Sequence, residues 1–233
     1  MPTTARSRTI IVCLPTGTVG DMFAACTTLA DHTEGPATLD PRYTVRRPRL
    51  TGWISRFLTT HLIAARRTGA TVARTAGGRL GRLNLLIATQ TAYLDAAARW
   101  ATWRSVTAGL DTPTPWRHHL ARHQTHPVEL PLDEVRRAFL AQPAIVAMLA
   151  HNAVPRQRLE LNPYEVDAYS AGLQTYTTLH MLTAIAGHGM LTADGRFLQP
   201  ASECVIDVLT YLKEAAGHLH SLPRRTQIVA VTI

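Results

Sequence analysis

Lysine is all but missing from this chain: Lys213 is the only one, and every other basic side chain among the 24 is arginine. Read with the plentiful Ala and Thr, this points to a GC-rich genome of the actinobacterial kind. The preference for Arg over Lys therefore carries no functional message, whereas the places where the arginines fall can carry one. Acidic residues are missing from one long interval, since none lies between Asp40 and Asp95. Cysteine is scarce. Cys13, Cys26 and Cys204 are odd in number and show no C-x-x-C spacing, so neither a disulfide framework nor a zinc ribbon is indicated. They read as reduced, packed thiols of a cytoplasmic protein. No apolar run reaches the roughly 20 residues of a membrane helix. The apolar stretch behind Arg6 and Arg8 stops at Pro15, too short for a secretory signal. With no internal repeat and no low-complexity linker, residues 1–233 are expected to form a single domain.

What is present is a chain of 233 residues, 46% hydrophobic, enough to bury a core. "TIIVCL", Thr9 to Leu14, reads as a buried strand ended by Pro15. A helix is expected from Met22 to Asp31, and a short strand at 43–45. From Trp53, the spacing of Ile54, Phe57, Leu58, Leu62 and Ala65 predicts an amphipathic helix ending at Gly69. Gly77, Gly78 and Gly81 predict a flexible segment before Asn84 caps a long helix to about Ala108. Asp133 is expected to cap a helix to about Ala150, broken or restarted at Pro143.

Asn162 followed by Pro163 predicts a helix to about Ala186. It is apolar on two sides, with Val166, Tyr169, Leu173 and Tyr176 on one and Ala168, Ala171, Leu179 and Leu182 on the other. "MLTADGRFL" predicts a hairpin turning at Asp194-Gly195. The stripe Val205, Leu209, Leu212, Ala216 and Leu219 predicts a last helix over 201–221, and "TQIVAVTI" a closing strand. The expected fold is α+β and predominantly helical, with a small sheet pairing the strands at 9–14 and 226–233. An α/β Rossmann-like core with a helical insertion is the alternative.

The strongest functional signal is regional. The segment 41–94 holds ten arginines and no acid: Arg42, Arg46, Arg47, Arg49, Arg56, Arg66, Arg67, Arg74, Arg79 and Arg82. Setting those ten aside from the formal net charge of +8 leaves the rest of the chain at −2. Such a block repels itself and is held more comfortably when an anion answers it. The planar guanidinium fork matches phosphate oxygens. Trp53, Phe57 and His61 stand nearby as stacking residues. The expected role is nucleic-acid binding, DNA or RNA, within a larger nucleoprotein assembly; a solvated face, anionic lipid or an acidic protein partner are the other readings.

"PTGTVGD", residues 15–21, raises a second possibility, a phosphate cradled by the backbone of Thr16, Gly17, Thr18 and Gly20 at the start of a helix. It matches neither G-x-x-x-x-G-K-[ST] nor G-x-G-x-x-G, and Asp21 serves more simply as a cap. Over about a dozen residues, this strand followed by Gly-Thr resembles the ligand loop of CRISPR-associated Rossmann-like domains that sense cyclic oligonucleotides. Arg117-His118-x4-His123 is similar to the Arg-x4–6-His pattern of HEPN ribonucleases, which implies that Arg117 and His123 as a pair stabilise charge and shuttle protons. The alternative function is therefore a nucleotide-binding enzyme, or a cyclic-oligonucleotide sensor and ribonuclease. His119 and His123 are i, i+4, but Arg117 and Arg122 oppose a cation there, and no metal or other cofactor is expected.

Overall fold

The computed structural model describes residues 8–15, 22–30, 32, 37–46, 62–68, 71–156 and 159–233. Helices and a mixed sheet make it α+β. The chain, read from its sequence as one domain, gathers into two compact units. The first comprises 1–91, 181–202 and 206–233, and the second comprises 92–180 and 203–205.

The first unit is built on a seven-stranded sheet in the order β3 (Leu62–Ile63), β6 (Gly77–Arg79), β9 (Gln227–Thr232), β1 (Thr9–Leu14), β7 (Gly189–Leu191), β8 (Phe197–Leu198), with β2 (Thr38–Leu39) also pairing β9. Its middle strand, β1 (Thr9–Leu14), is β-branched and apolar, and all six of its residues are buried. Side chains alternate across a strand. Ile10, Val12 and Leu14 join Ala25 and Leu29 of helix α1 (Met22–Leu29) in one cluster, together with Leu191, Val229 and Val231. Ile11 and Cys13 on the opposite face are just as buried, so both faces are covered. Each such side chain contributes about 1.5–3 kcal/mol. Burial pushes the Cys13 thiol up to about 12, which makes it inert.

β1 runs antiparallel to β9 (Gln227–Thr232), from Thr9 opposite Thr232 to Leu14 opposite Gln227, and parallel to β7 (Gly189–Leu191). β7 and β8 (Phe197–Leu198) form the Asp-Gly hairpin, with Gly195 at φ +83°. On the other side of β9 lie β2 (Thr38–Leu39) and β6 (Gly77–Arg79). Among the described strands the single parallel pair sits in an antiparallel sheet, which lends no support to the Rossmann-like alternative.

Residues 62–81 depart most from expectation. Within the stretch read as an amphipathic helix, Leu62–Ile63 (β3) pairs with β6, and Arg66–Thr68 (β4) pairs with Thr71–Arg74 (β5) as a separate two-stranded sheet. Partners across the sheet, unseen in local periodicity, decide the conformation here. Gly77, expected in a flexible segment, is instead wedged into the sheet. A Cβ placed on it would lie 2.1 Å from the Ile228 carbonyl oxygen, so only glycine allows this approach.

The second unit is helical. α2 (Leu85–Val106) begins in the first unit and continues into the second, and Asn84 Oδ1 accepts from the Ile87 amide at its start. α3 (Trp116–Thr125) and α4 (Leu132–Leu140) follow, and Pro143 restarts the chain as α5 (Pro143–Asn152). The cap of α4 is Pro131; Asp133 instead lies in the first turn, where a carboxylate complements the helix dipole. Asn162 accepts from the Tyr164 amide as a 3-10 turn, Pro163–Glu165, opens. The expected long helix is split into α6 (Val166–Ser170) and α7 (Leu173–Ala186) at Gly172, φ +94°. The core stacks Trp103 on Tyr169 and Tyr169 on Tyr176, with Phe139, Ile145 and Met148 packed alongside. α8 (Val205–Ser221), which from Ile206 on belongs to the first unit, buries Tyr211, Leu212, Ala215, Ala216 and Leu219 and leads to β9.

Candidate nucleic-acid interface

The basic segment resolves into groups with different surroundings. Arg42 is turned inward. Its guanidinium donates to the Thr183 carbonyl at 3.1 Å and lies 3.9 Å from Asp40. Helix ends leave carbonyls unpaired. At the end of α7 the Tyr43 hydroxyl donates to Ile185 (3.1 Å) and the Tyr211 hydroxyl to Ala186 (2.9 Å), while Arg42 is a second donor to the Thr183 carbonyl, which also accepts from the Gly187 amide at 2.9 Å. A cation also complements the negative end of the helix dipole, worth about 0.3–2 kcal/mol. Arg42 is thus a capping residue, and burial pushes the Tyr43 and Tyr211 phenols well up.

Arg46, Arg79 and Arg82 meet at one corner of the sheet. Beyond β6 the chain makes a 3-10 turn, Leu80–Arg82. The Leu80 amide donates to the Thr226 carbonyl at 2.8 Å, and the Gly81 amide donates to the Arg224 carbonyl at 2.9 Å. Gly81 permits that approach, because a Cβ there would sit 3.1 Å from Arg224 Cβ. On the other flank the Arg46 amide donates to the Arg82 carbonyl at 2.8 Å, Arg46 Nε donates to the Leu83 carbonyl at 3.2 Å, and buried Leu83 bridges to Val45.

Three separate stretches, around 44–46, 79–84 and 224–226, are thereby stitched together. They bring Arg46, Arg79, Arg82, Arg224 and Arg225 to one place, with Arg46, Arg224 and Arg225 exposed. Among the described residues no acid pairs with any of the five. Arg224 and Arg225 were not flagged by the sequence, because they lie far outside the acid-free interval; the doublet after Pro223, just ahead of the closing strand, was the available signal.

Arg66 and Arg74 are exposed and face each other across the β4–β5 ribbon, and the Arg67 backbone pairs with Val72. Arg47, Arg49 and Arg56 lie outside the described residues, as do Trp53, Phe57 and His61. Thr16, Gly17, Thr18 and Gly20 of the candidate phosphate loop lie outside them as well.

Arg117 and His123 are both on α3 but are engaged separately. Six residues apart, they stand about 120° apart around the helix. Arg117 forks onto Asp167, with Nε 2.6 Å from Oδ2 and Nη2 3.3 Å from Oδ1. His123 Nδ1 lies 2.8 Å from the Leu130 carbonyl, bracing the turn after α3. His119 rests edge-on against Phe139, and burial, then Arg122 and His118, hold it below the usual imidazole range. Among the described residues no three His, Cys, Asp or Glu gather as a metal site, and no helix is long and apolar enough to cross a membrane.

A second polar cluster surrounds Glu165. Asn162 donates to one carboxylate oxygen at 3.0 Å, Tyr176 donates to the other at 3.1 Å, and His180 Nε2 stands 3.6 Å away. Burial alone would raise this carboxyl. The His180 ring, then Asn162 and Tyr176, outweigh burial and bring it below the ordinary carboxylate range. The arrangement ties the start of α6 to α7. Comparison with known protein families, with curated proteins and with solved structures finds no match to this chain.

Proposed function

We propose that the protein binds nucleic acid through the sheet corner made by Arg46, Arg79, Arg82, Arg224 and Arg225, extended by Arg66 and Arg74. The observation that carries this reading is the convergence of arginines from three distant stretches without a described acidic partner. Exposed guanidinium groups fit phosphate oxygens bidentately, and a surface of one sign raises the local concentration of a polyanion. Assembly into a larger nucleoprotein particle, as one subunit among several, is a natural use for a surface of this kind.

The ribonuclease alternative draws no support from the geometry, because Arg117 is committed to Asp167 and His123 to the Leu130 carbonyl. The test is binding of a labelled oligonucleotide across a salt series. Phosphate contacts require log Kobs to fall with log salt by about 0.9 for each phosphate neutralised on duplex DNA. Weak binding that ignores salt removes the proposal. Association with an acidic protein but with no nucleic acid would replace it by a structural-subunit role.

A further inference from the structure

We infer that the β4–β5 ribbon enters the major groove of B-form duplex DNA and so selects the form of nucleic acid that the arginine corner holds. This inference rests on the nucleic-acid reading above. The ribbon grows out of the sheet edge. Leu62 and Ile63 pair with Gly78 and Gly77 inside the main sheet, and after two intervening residues on each side the same two chain segments pair again as a sheet of their own, Arg66 with Arg74 and, past a register shift at Arg66/Arg67, Thr68 with Thr71.

The passage between the two pairings is tied. Ala64 takes φ +46°, a left-handed conformation that costs a non-glycine residue about 1–2 kcal/mol. Fully buried Thr75 places its hydroxyl 2.6 Å from the Ile63 carbonyl and 2.7 Å from the Gly77 carbonyl, and the Ala76 amide donates to Ile63 at 2.9 Å. Beyond that knot Ala64, Ala65, Arg66 and Arg74 are all exposed.

Arg66 directly opposite Arg74 is a like-charged cross-strand pair, which weakens a ribbon in water. No described acid relieves it. A polyanion would turn that repulsion into attraction. Three nucleic-acid forms make different demands. The B-DNA major groove, about 12 Å wide, admits a two-stranded ribbon. The A-form RNA major groove is too deep and narrow for side chains to read. Single strands are gripped largely by aromatic stacking, and no Phe, Trp or Tyr occurs between His61 and Tyr93. Apart from arginine, residues 64–68 and 71–75 are only Ala, Thr and Val in sequence, all small.

The test compares three labelled probes by fluorescence anisotropy: a short DNA duplex, an RNA duplex of the same sequence, and one DNA strand. The full chain and its R66Q/R74Q variant are measured at one salt concentration, with a melting curve confirming that the variant folds. The wild type is expected to favour the DNA duplex by about tenfold or more, and the variant to lose about tenfold on that probe alone. Equal binding of all three probes, a preference for RNA or single strand, or a variant that keeps the DNA preference would overturn the ribbon assignment and leave the arginine corner standing. Salt-insensitive binding to every probe would instead remove the nucleic-acid reading beneath it.

Discussion

The helical unit and the sheet corner treat charge in opposite ways. Around α6, Arg117 forks onto Asp167, and Glu165 is held by Asn162, Tyr176 and His180. At the corner, Arg46, Arg79, Arg82, Arg224 and Arg225 are drawn together by backbone hydrogen bonds that leave their charge unanswered among the described residues. The first arrangement completes itself and therefore contributes to stability. The second has no acidic partner among the described residues, and its geometry is secured by main-chain hydrogen bonds together with the one from Arg46 Nε to the Leu83 carbonyl. Arg42 and Arg46 show the contrast within four residues, one capping α7 and the other exposed.

The contrast can be broken most forcefully at its scaffold. Gly77→Ala puts a Cβ against the Ile228 carbonyl and is expected to cost about 3 kcal/mol, as overpacking does when backbone must move. Urea unfolding measures it, and oligonucleotide binding should fall with stability. Arg42→Ala leaves the Thr183 carbonyl without its cation and is expected to cost about 1–2 kcal/mol in the same assay. Its salt slope for nucleic-acid binding should equal that of the wild type; a reduced slope would place Arg42 with the surface group.

Glu165→Gln sharpens the other side. At neutral pH it is expected to cost about 1 kcal/mol. Because the folded carboxyl is depressed, its contribution is complete above the unfolded value, near 4.5, and is lost as pH falls through the folded one. The gap between wild type and variant in pH-dependent melting should therefore close on the acid side, and oligonucleotide binding should not change. The smallest stability effect belongs to the corner itself. Arg46→Ala/Arg82→Ala/Arg225→Ala is expected to shift unfolding by no more than about 0.5 kcal/mol per site, as surface substitutions do.

Local chemistry made much of the fold legible. The alternation-free apolar run at Thr9 to Leu14, the Asp-Gly turn at 194–195, the restart at Pro143 and the Asn84 cap all depend on neighbours in sequence. What was not legible depends on distant ones. Leu62 and Ala65 fit a helical stripe, and only the presence of β6 makes this region strand. A glycine triplet spells flexibility or close contact equally well, and at Gly77 the Ile228 carbonyl decides. The arginine-rich interval was visible as composition, yet composition could not tell that Arg42 faces a helix end 141 residues away. Nor could it tell that Arg224 and Arg225 join the corner through Gly81.

Whether the corner acts as a phosphate-binding surface is tested most directly by the dependence of log Kobs on log salt for a single DNA duplex, wild type against Arg46→Ala/Arg82→Ala/Arg225→Ala. The expected result is a steep linear fall for the wild type and a slope shallower by about 2 to 3 for the variant, close to one unit for each arginine removed. Identical shallow slopes for the two proteins would contradict it.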